Sequence, residues 1–183
     1  PQRIRSWAEA VRDARPRCIL DLASGGGGGI ASILKGYKGA EIVCATERDL
    51  RCTWTIQYKA MELGYRRMEA LGADVRRLPV RDCSFDAVTS LGALQEILGM
   101  EELTREVFRV LAAGGCWFAL YAEPETWGEI TRETYMRFAR EADMFRGHDE
   151  FMWTAEKAGL WGETLGGFAS GSRTYHAVAF RKT

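Results

Sequence analysis

Residues 17–35 read R-C-I-L-D-L-A-S-G-G-G-G-G-I-A-S-I-L-K and join an apolar run to an amphipathic segment through five glycines. The short, almost continuous apolar run at 17–22 is typical of a parallel strand that is covered on both faces. Glycine has no Cβ, so its backbone can turn sharply and approach a ligand closely. Because the glycines stand between a strand and a helix, we predict a ligand-binding loop here and not a flexible linker.

On both sides of this stretch, strand-like and helix-like segments alternate along the chain. Strands are predicted at residues 17–22, 41–46, 68–71, 85–90 and 116–122, with two closing strands at 163–168 and 175–180. Helices are predicted at 4–14, 30–35, 50–63, 103–111, 131–144 and 150–157, and Gly114 and Gly115 are expected to end the fourth of them. This order predicts an α/β fold with a doubly wound, mostly parallel seven-stranded sheet, helices on both faces and a C-terminal antiparallel hairpin.

Composition narrows the class of protein. A chain of 183 residues is long enough for one domain with its own core. Lys plus Arg and Asp plus Glu both total 25, so the basic surface expected of a nucleic-acid-binding protein is not predicted. No apolar run approaches the length of a membrane span, and the five scattered cysteines form no C-x-x-C pair, so neither a disulfide framework nor a metal site is predicted. A reducing, cytoplasmic compartment is the expectation.

The glycine loop itself allows two interpretations. Gly26, Gly28 and Ala31 fit the G-x-G-x-x-A pattern of dinucleotide-binding loops, although five consecutive glycines satisfy many patterns. The alternative begins at Asp21, at the end of the strand, and resembles the D-x-G-x-G-x-G loop of S-adenosylmethionine (SAM)-dependent methyltransferases, with alanine at the first glycine position. A carboxylate there can hold the α-ammonium group of SAM directly or through water, whereas it would repel a pyrophosphate.

Glu47 fits either interpretation, and two later segments favour the methyltransferase one. Glu47 ends the second strand, where a carboxylate can accept hydrogen bonds from both ribose hydroxyls of either kind of cofactor. Residues 73–90, A-D-V-R-R-L-P-V-R-D-C-S-F-D-A-V-T-S, resemble the family's G-D-A-x-x-L-P-F-x-D-x-S-F-D-x-V segment. Residues 106–115, E-V-F-R-V-L-A-A-G-G, resemble its E-x-x-R-V-L-K-P-G-G. The chain thus resembles the class I SAM-dependent methyltransferases, which have a Rossmann-like fold.

The resemblance implies a cofactor site and a domain layout. Asp74 would accept a hydrogen bond from the adenine amino group, and the Val75 amide would face the ring. The cofactor-binding residues it implies are Asp21, Ala23, Ser24, Gly25, Gly27, Glu47, Arg48, Asp74, Val75 and Leu91. One domain is expected over residues 1–183: an N-terminal helix at 1–15, a cofactor-binding core at 16–122, and substrate-side helices with the closing hairpin at 123–183.

The same resemblance implies transfer of the SAM methyl group to a small molecule, which leaves S-adenosylhomocysteine, but it identifies no catalytic residue. Gln95 and Glu96 stand where many relatives have two histidines. Glu123, at the end of the fifth strand, could orient or deprotonate a substrate, and His148 lies in a polar loop that could cover the pocket. Two alternatives stay open: a catalytically silent scaffold with the same fold, and an NAD(P)-dependent oxidoreductase.

Overall fold

A single seven-stranded sheet organises the protein. The computed structural model describes residues 2–65, 68–123, 132–141, 143–170 and 173–183. The strands are β1 (Cys18–Leu22), β2 (Ile42–Glu47), β3 (Met68–Gly72), β4 (Phe85–Leu91), β5 (Leu111–Ala122), β6 (Leu160–Ser170) and β7 (Arg173–Lys182). Their order is β3-β2-β1-β4-β5-β7-β6. β1 to β5 are parallel, and β7 lies antiparallel between β5 and β6, which confirms the predicted sheet and closing hairpin.

Helices cover both faces of the sheet. They are α1 (Gln2–Asp13), α2 (Gly28–Leu34), α3 (Leu50–Glu62), α4 (Met100–Val110), α5 (Arg132–Glu141) and α6 (His148–Lys157), with a short 3-10 turn at Leu94–Glu96. The buried side chains of α1, α2 and α3 share one core, and those of α4 and α6 share the core on the opposite face. The doubly wound arrangement follows from this division.

The alternation of side chains along β5 shows how one strand serves both cores. Trp117 and Tyr121 point into the core beneath α4 and α6, whereas Phe118 and Leu120 point into the core beneath α1 and α2. All four are at most 4% exposed. The nearly continuous apolar sequence of this strand is therefore a consequence of burial on both faces.

The boundary between α4 and β5 differs from the prediction. We expected Gly114 and Gly115 to end the helix, but α4 ends at Val110 and β5 begins at once with Leu111. Leu111 is fully buried and pairs with Phe85, after which the register jumps so that Cys116 pairs with Ala87. The residues between Leu111 and Cys116 therefore bulge out of the ladder, and Gly114 adopts the left-handed backbone (φ +74°) that this bulge needs.

Smaller differences concern the C-terminal elements. α6 begins two residues earlier than predicted, at His148, and the closing strands are longer, since Ser170 still pairs with Arg173. Pairing across the hairpin extends both strands. α5 spans Arg132–Glu141, whereas the predicted start of that helix at residue 131 lies outside the described residues.

Candidate functional site

The glycine loop leaves β1 through a series of left-handed turns. Ala23, Gly25 and Gly27 have φ values of +48°, +51° and +76°. A Cβ on Gly27 would lie 3.3 Å from Cγ1 of Ile56, so this glycine allows the loop to pack closely against α3. A Cβ on Gly25 would meet nothing within 4 Å. Gly25 therefore presents bare backbone to open space, as a loop that receives a ligand requires.

Asp21 lies beneath this loop and not beside it. Its side chain is 2% exposed, and Oδ1 accepts a hydrogen bond of 2.6 Å from the hydroxyl of Thr89 on the neighbouring strand. Burial raises the pKa of Asp21 to about 6, although the hydrogen bonds from Ser24 and Thr89 favour the charged form. The predicted contact of this carboxylate with the cofactor's ammonium group thus requires a water molecule or a shift of the loop.

Glu47 connects the end of β2 to the glycine loop. Oε2 accepts from the Gly25 amide at 2.7 Å, and Oε1 accepts from the amides of Arg48 and Asp49 at 2.7 and 3.2 Å. One carboxylate therefore holds the loop and the start of α3 together. These bonds use both lone pairs of Oε1 and one of Oε2, so Oε2 keeps one site that can accept a hydrogen bond from a ligand.

Asp74 is held by an arginine two residues along the chain. The Arg76 guanidinium donates from Nε to Oδ1 at 3.0 Å and from Nη2 to Oδ2 at 2.6 Å, and the Arg76 amide also donates to Oδ1. These hydrogen bonds lower the pKa of Asp74 to about 2, and the charge of Arg48 acts in the same direction. Asp74 is therefore a carboxylate at every physiological pH, as an acceptor for an amino group must be.

These groups surround a cavity of about 350 Å³ at the carboxyl ends of the central strands. It is lined by Ala23, Ser24, Gly25, Glu47, Arg48, Ala73, Asp74, Val75, Arg76, Leu91, Gly92, Ala93, Glu96, Ile97 and Leu98. Eight of the ten predicted cofactor residues are among them; Asp21 and Gly27 are the two that are not. The volume falls within the range of pockets that hold small molecules. An open sheet binds its ligands at this edge, where the strand order reverses between β1 and β4.

A second polar cluster lies one strand away from the cavity wall. His176 on β7 is directly opposite Tyr121 on β5, and its Nε2 lies 3.1 Å from Oε1 of Glu123. The same carboxylate oxygen accepts from the His148 amide at 2.9 Å, and the two histidine rings stack with centroids 4.3 Å apart. His148 Nδ1 lies 2.8 Å from the Tyr121 hydroxyl. The pKa of His148 is lowered mainly by burial and to a smaller extent by the charge of the nearby His176.

Comparison with known proteins places the chain in a family. A family described as "Methyltransferase domain" matches residues 19–115, more than half of the chain and all of the strands that form the cavity. The chain belongs to this methyltransferase family. The matched region includes every predicted cofactor residue, from the acid at the end of β1 to the leucine at the end of β4.

Individual relatives agree with this membership. The methyltransferase is 32% identical over 151 residues to the malonyl-[acyl-carrier protein] O-methyltransferase of Halorhodospira halophila, covering 78% of this chain and 50% of that protein. It is 32% identical over 118 residues to the demethylmenaquinone methyltransferase of Thermus thermophilus, covering 61% of this chain and 50% of that protein. The chain thus spans about half the length of the curated relatives it matches. A crystal structure of a SAM-dependent methyltransferase from Aquifex aeolicus shares the fold, with a TM-score of 0.71, 16% identity, and coverage of 96% of this chain and 89% of that one.

Sequence reasoning missed part of the cavity wall of this methyltransferase. Arg76 was not among the predicted residues, and neither was the wall that follows β4, which consists of Gly92, Ala93, Glu96, Ile97 and Leu98. An aspartate two residues before an arginine can close a local ion pair, so the Asp74–Arg76 pair was in principle readable. The wall after β4 was not, because a 3-10 turn at Leu94–Glu96 decides which of its side chains face inward.

Proposed function

We propose that the protein transfers a methyl group from SAM to a small-molecule acceptor. The observation that carries the proposal is the arrangement of two carboxylates, Glu47 and Asp74, around the cavity that also receives the bare backbone of Gly25. A nucleoside offers ribose hydroxyls and an adenine amino group as donors, and these two carboxylates are the matching acceptors. The apolar side chains of Val75 and Leu91 supply the surface on which an adenine ring would rest.

The protein's own groups would bind and orient the cofactor. Glu47 would accept from a ribose hydroxyl at the free site of Oε2 and Asp74 from the adenine amino group, while Asp21 would supply negative charge beneath the end of the loop. When bound, SAM supplies a methyl group already activated by its positive sulfur. Little covalent help from the protein is then needed, because alignment of the acceptor with the methyl group supplies much of the rate.

The acceptor side is proposed to include Glu123 and His176. Their 3.1 Å contact pairs an imidazole with a carboxylate, an arrangement that orients the ring for proton transfer. The Gly92 amide, on the cavity wall, donates at 2.7 Å to the carbonyl oxygen of Leu120, which places β5 directly beside the cavity. His176 is on β7, one strand further, so two strand spacings separate its backbone from that of Gly92 by about 10 Å, which is within the length of a small organic molecule.

We also propose a cytoplasmic location. Across the residues that the structure describes, none of the helices is long and apolar enough to cross a membrane. The five cysteines are free thiols, which is the usual state in a reducing compartment.

Calorimetric titration with S-adenosylhomocysteine, with NAD and NADP as controls, tests the cofactor. We expect a dissociation constant in the micromolar range, on the order of −8 kcal/mol, for the first ligand alone. Gly25→Val should abolish this binding. Gly36→Val is the matched control, because Gly36 also has a left-handed backbone and open space around its Cβ position but lies outside the cavity.

Transfer of a radiolabelled methyl group to a panel of acceptors tests the reaction. Malonyl thioesters and demethylated quinols head the panel because of the names of the two relatives, followed by amines and carboxylic acids. Binding without turnover on any acceptor would favour the silent scaffold. Binding of NAD or NADP in preference to S-adenosylhomocysteine would overturn the cofactor assignment.

A further inference from the structure

Helix α3 has two apolar faces, and only one of them is covered. Ile56 and Ala60 are buried against the sheet. On the other side of the helix, four large apolar side chains are 65%, 78%, 59% and 68% exposed, in the order Leu50, Trp54, Tyr58 and Met61. At 100° per residue these four fall within an arc of about 80°, centred about 140° from the buried pair. We refer to these four residues as the α3 stripe.

The composition of the α3 stripe is that of a protein interface. Trp, Tyr and Met are enriched where proteins contact each other, and a contiguous apolar patch of this kind is uncommon on a surface that only meets water. The stripe plays no part in the core, since Ile56 and Ala60 already attach α3 to the sheet. An exposed tryptophan in the middle of the patch is the side chain that most often dominates binding energy.

We propose that the α3 stripe is the dimer interface for a second copy of this chain, with the two α3 helices packed antiparallel about a twofold axis. In that arrangement Leu50 faces the partner's Met61, and Trp54 faces the partner's Tyr58. The stripe is self-complementary in this direction because each contact then occurs twice, as a twofold interface requires.

The charges beside the α3 stripe favour this direction and this occupant. Arg51 and Glu62 lie on the same flank of the stripe, within about 20° of each other around the helix, but at its opposite ends. Arg51 pairs with Asp49 at the start of its own helix, and its side chain is still 91% exposed and can reach a second carboxylate. An antiparallel pair brings Arg51 of each copy beside the partner's Glu62, whereas in a parallel twofold pair this flank would face the partner's opposite flank and the two charges would not meet. The flank is balanced in charge, as is the whole chain, so neither an anionic lipid surface nor self-repulsion is favoured.

The area of the α3 stripe is adequate for a dimer. The exposed parts of Trp54 and Tyr58 alone amount to about 300 Å². With Leu50 and Met61, the stripe supplies more than half of the about 800 Å² that each partner buries in a standard interface. Arg51, which is 91% exposed, and the rest of the flank can supply the remainder.

Dimerisation at α3 would also bear on the proposed cofactor loop. The Lys59 ammonium of α3 donates a hydrogen bond to the Gly26 carbonyl, and Gly27 packs against Ile56. A partner that holds α3 in place therefore supports the loop from behind, without reaching the cavity itself.

Sedimentation velocity of the whole chain between about 1 and 100 µM tests the proposal. We expect a dimer of twice 20.5 kDa and, for Trp54→Glu, dimerisation at least roughly 30-fold weaker. Glu62→Arg should also weaken the dimer, and adding Arg51→Glu in the same chain should restore it. Trp153→Glu is the matched control, because Trp153 is 57% exposed on α6, across the sheet from α3, and its loss should leave the dimer intact.

Circular dichroism is used to check that each variant is folded. Three outcomes would overturn the proposal. The first is a chain that stays monomeric at about 100 µM. The second is equal dissociation by Trp54→Glu and Trp153→Glu. The third is a charge-swapped chain that fails to recover the dimer. Flotation with phosphatidylglycerol vesicles is measured alongside, and a monomer that binds them through Trp54 would assign the stripe to a membrane surface. None of these measurements depends on cofactor binding, so they are independent of the proposed methyl transfer.

Discussion

Replacing Asp21 by asparagine should stabilise the protein at neutral pH even though it removes a residue proposed for cofactor binding. The Asp21 carboxyl group is 2% exposed and borders both Thr89 and the glycine loop. Asparagine has nearly the same shape, and the Thr89 hydroxyl can still pair with the amide group. The substitution therefore removes a buried negative charge while it leaves packing and hydrogen bonding largely in place.

The magnitude follows from the pKa of Asp21, which burial raises from an ordinary 3.8 to about 6. Between about pH 4 and pH 6 the Asp21 carboxyl group keeps its proton in the folded protein but has lost it in the unfolded chain. The stability of the wild type therefore falls as the pH rises through this range. A shift of about two units corresponds to about 3 kcal/mol at pH 7 or above. Asp21→Asn avoids this loss, so its advantage should be near zero at pH 4 and reach up to about 3 kcal/mol at neutral pH.

Urea unfolding of both proteins at several pH values between 4 and 8 measures the difference directly. The matched control is Asp13→Asn, which makes the same change at an exposed aspartate at the end of α1 and so removes no buried charge. A difference between Asp21→Asn and wild type that stays flat across this range would refute the reasoning. So would one that grows toward low pH, because either result means that burial does not oppose the charge of Asp21.

Three further predictions concern the cavity and its surroundings. Asp74→Ala should weaken binding of S-adenosylhomocysteine by about 1–3 kcal/mol in calorimetry, and unchanged affinity would mean that the adenine is held elsewhere. Ala23→Gly should raise the free energy of unfolding in urea by up to about 1 kcal/mol, because alanine at φ +48° is strained and glycine is not. Glycine also increases the entropy of the unfolded chain, which limits the gain. A loss of stability would contradict this prediction. Glu123→Gln should lower methyl transfer to the acceptor found by the panel by at least about tenfold while binding of S-adenosylhomocysteine changes less than twofold; an equal loss of both would make the cluster structural.

The sheet and the cavity at its edge were predictable because both depend on signals that are local in sequence. Apolar runs of four to seven residues alternate with amphipathic helices, and polar groups stand where the strands end. Parallel strands bring those ends to one edge, so Glu47 and Asp74 had to meet near the glycine loop. The spacing within residues 17–35 and 73–90 therefore carried most of the information about the cavity.

The remaining features depend on contacts that the sequence does not display. Asp21 was predicted to hold the ammonium group directly or through water, and only the pairing of β1 with β4 shows that it stands opposite Thr89, beneath the glycine loop. The cluster of Glu123, His148 and His176 joins residues that are up to 53 positions apart in the chain. The register of β5 with β7 and the start of α6 bring these groups together, and neither can be predicted from a local sequence pattern.

Glu47 illustrates why one predicted residue is a poor probe of the proposed site and another a good one. Its carboxylate accepts from the amides of Gly25, Arg48 and Asp49, so it positions both the glycine loop and the first turn of α3. Loss of cofactor binding in a Glu47 variant would combine a lost ribose contact with a displaced loop. Asp74 pairs with Arg76, two residues along the same segment, so its removal disturbs less of the cavity. The proposed cofactor site is therefore better tested by replacing Asp74, at the adenine end of the cavity, than by replacing Glu47.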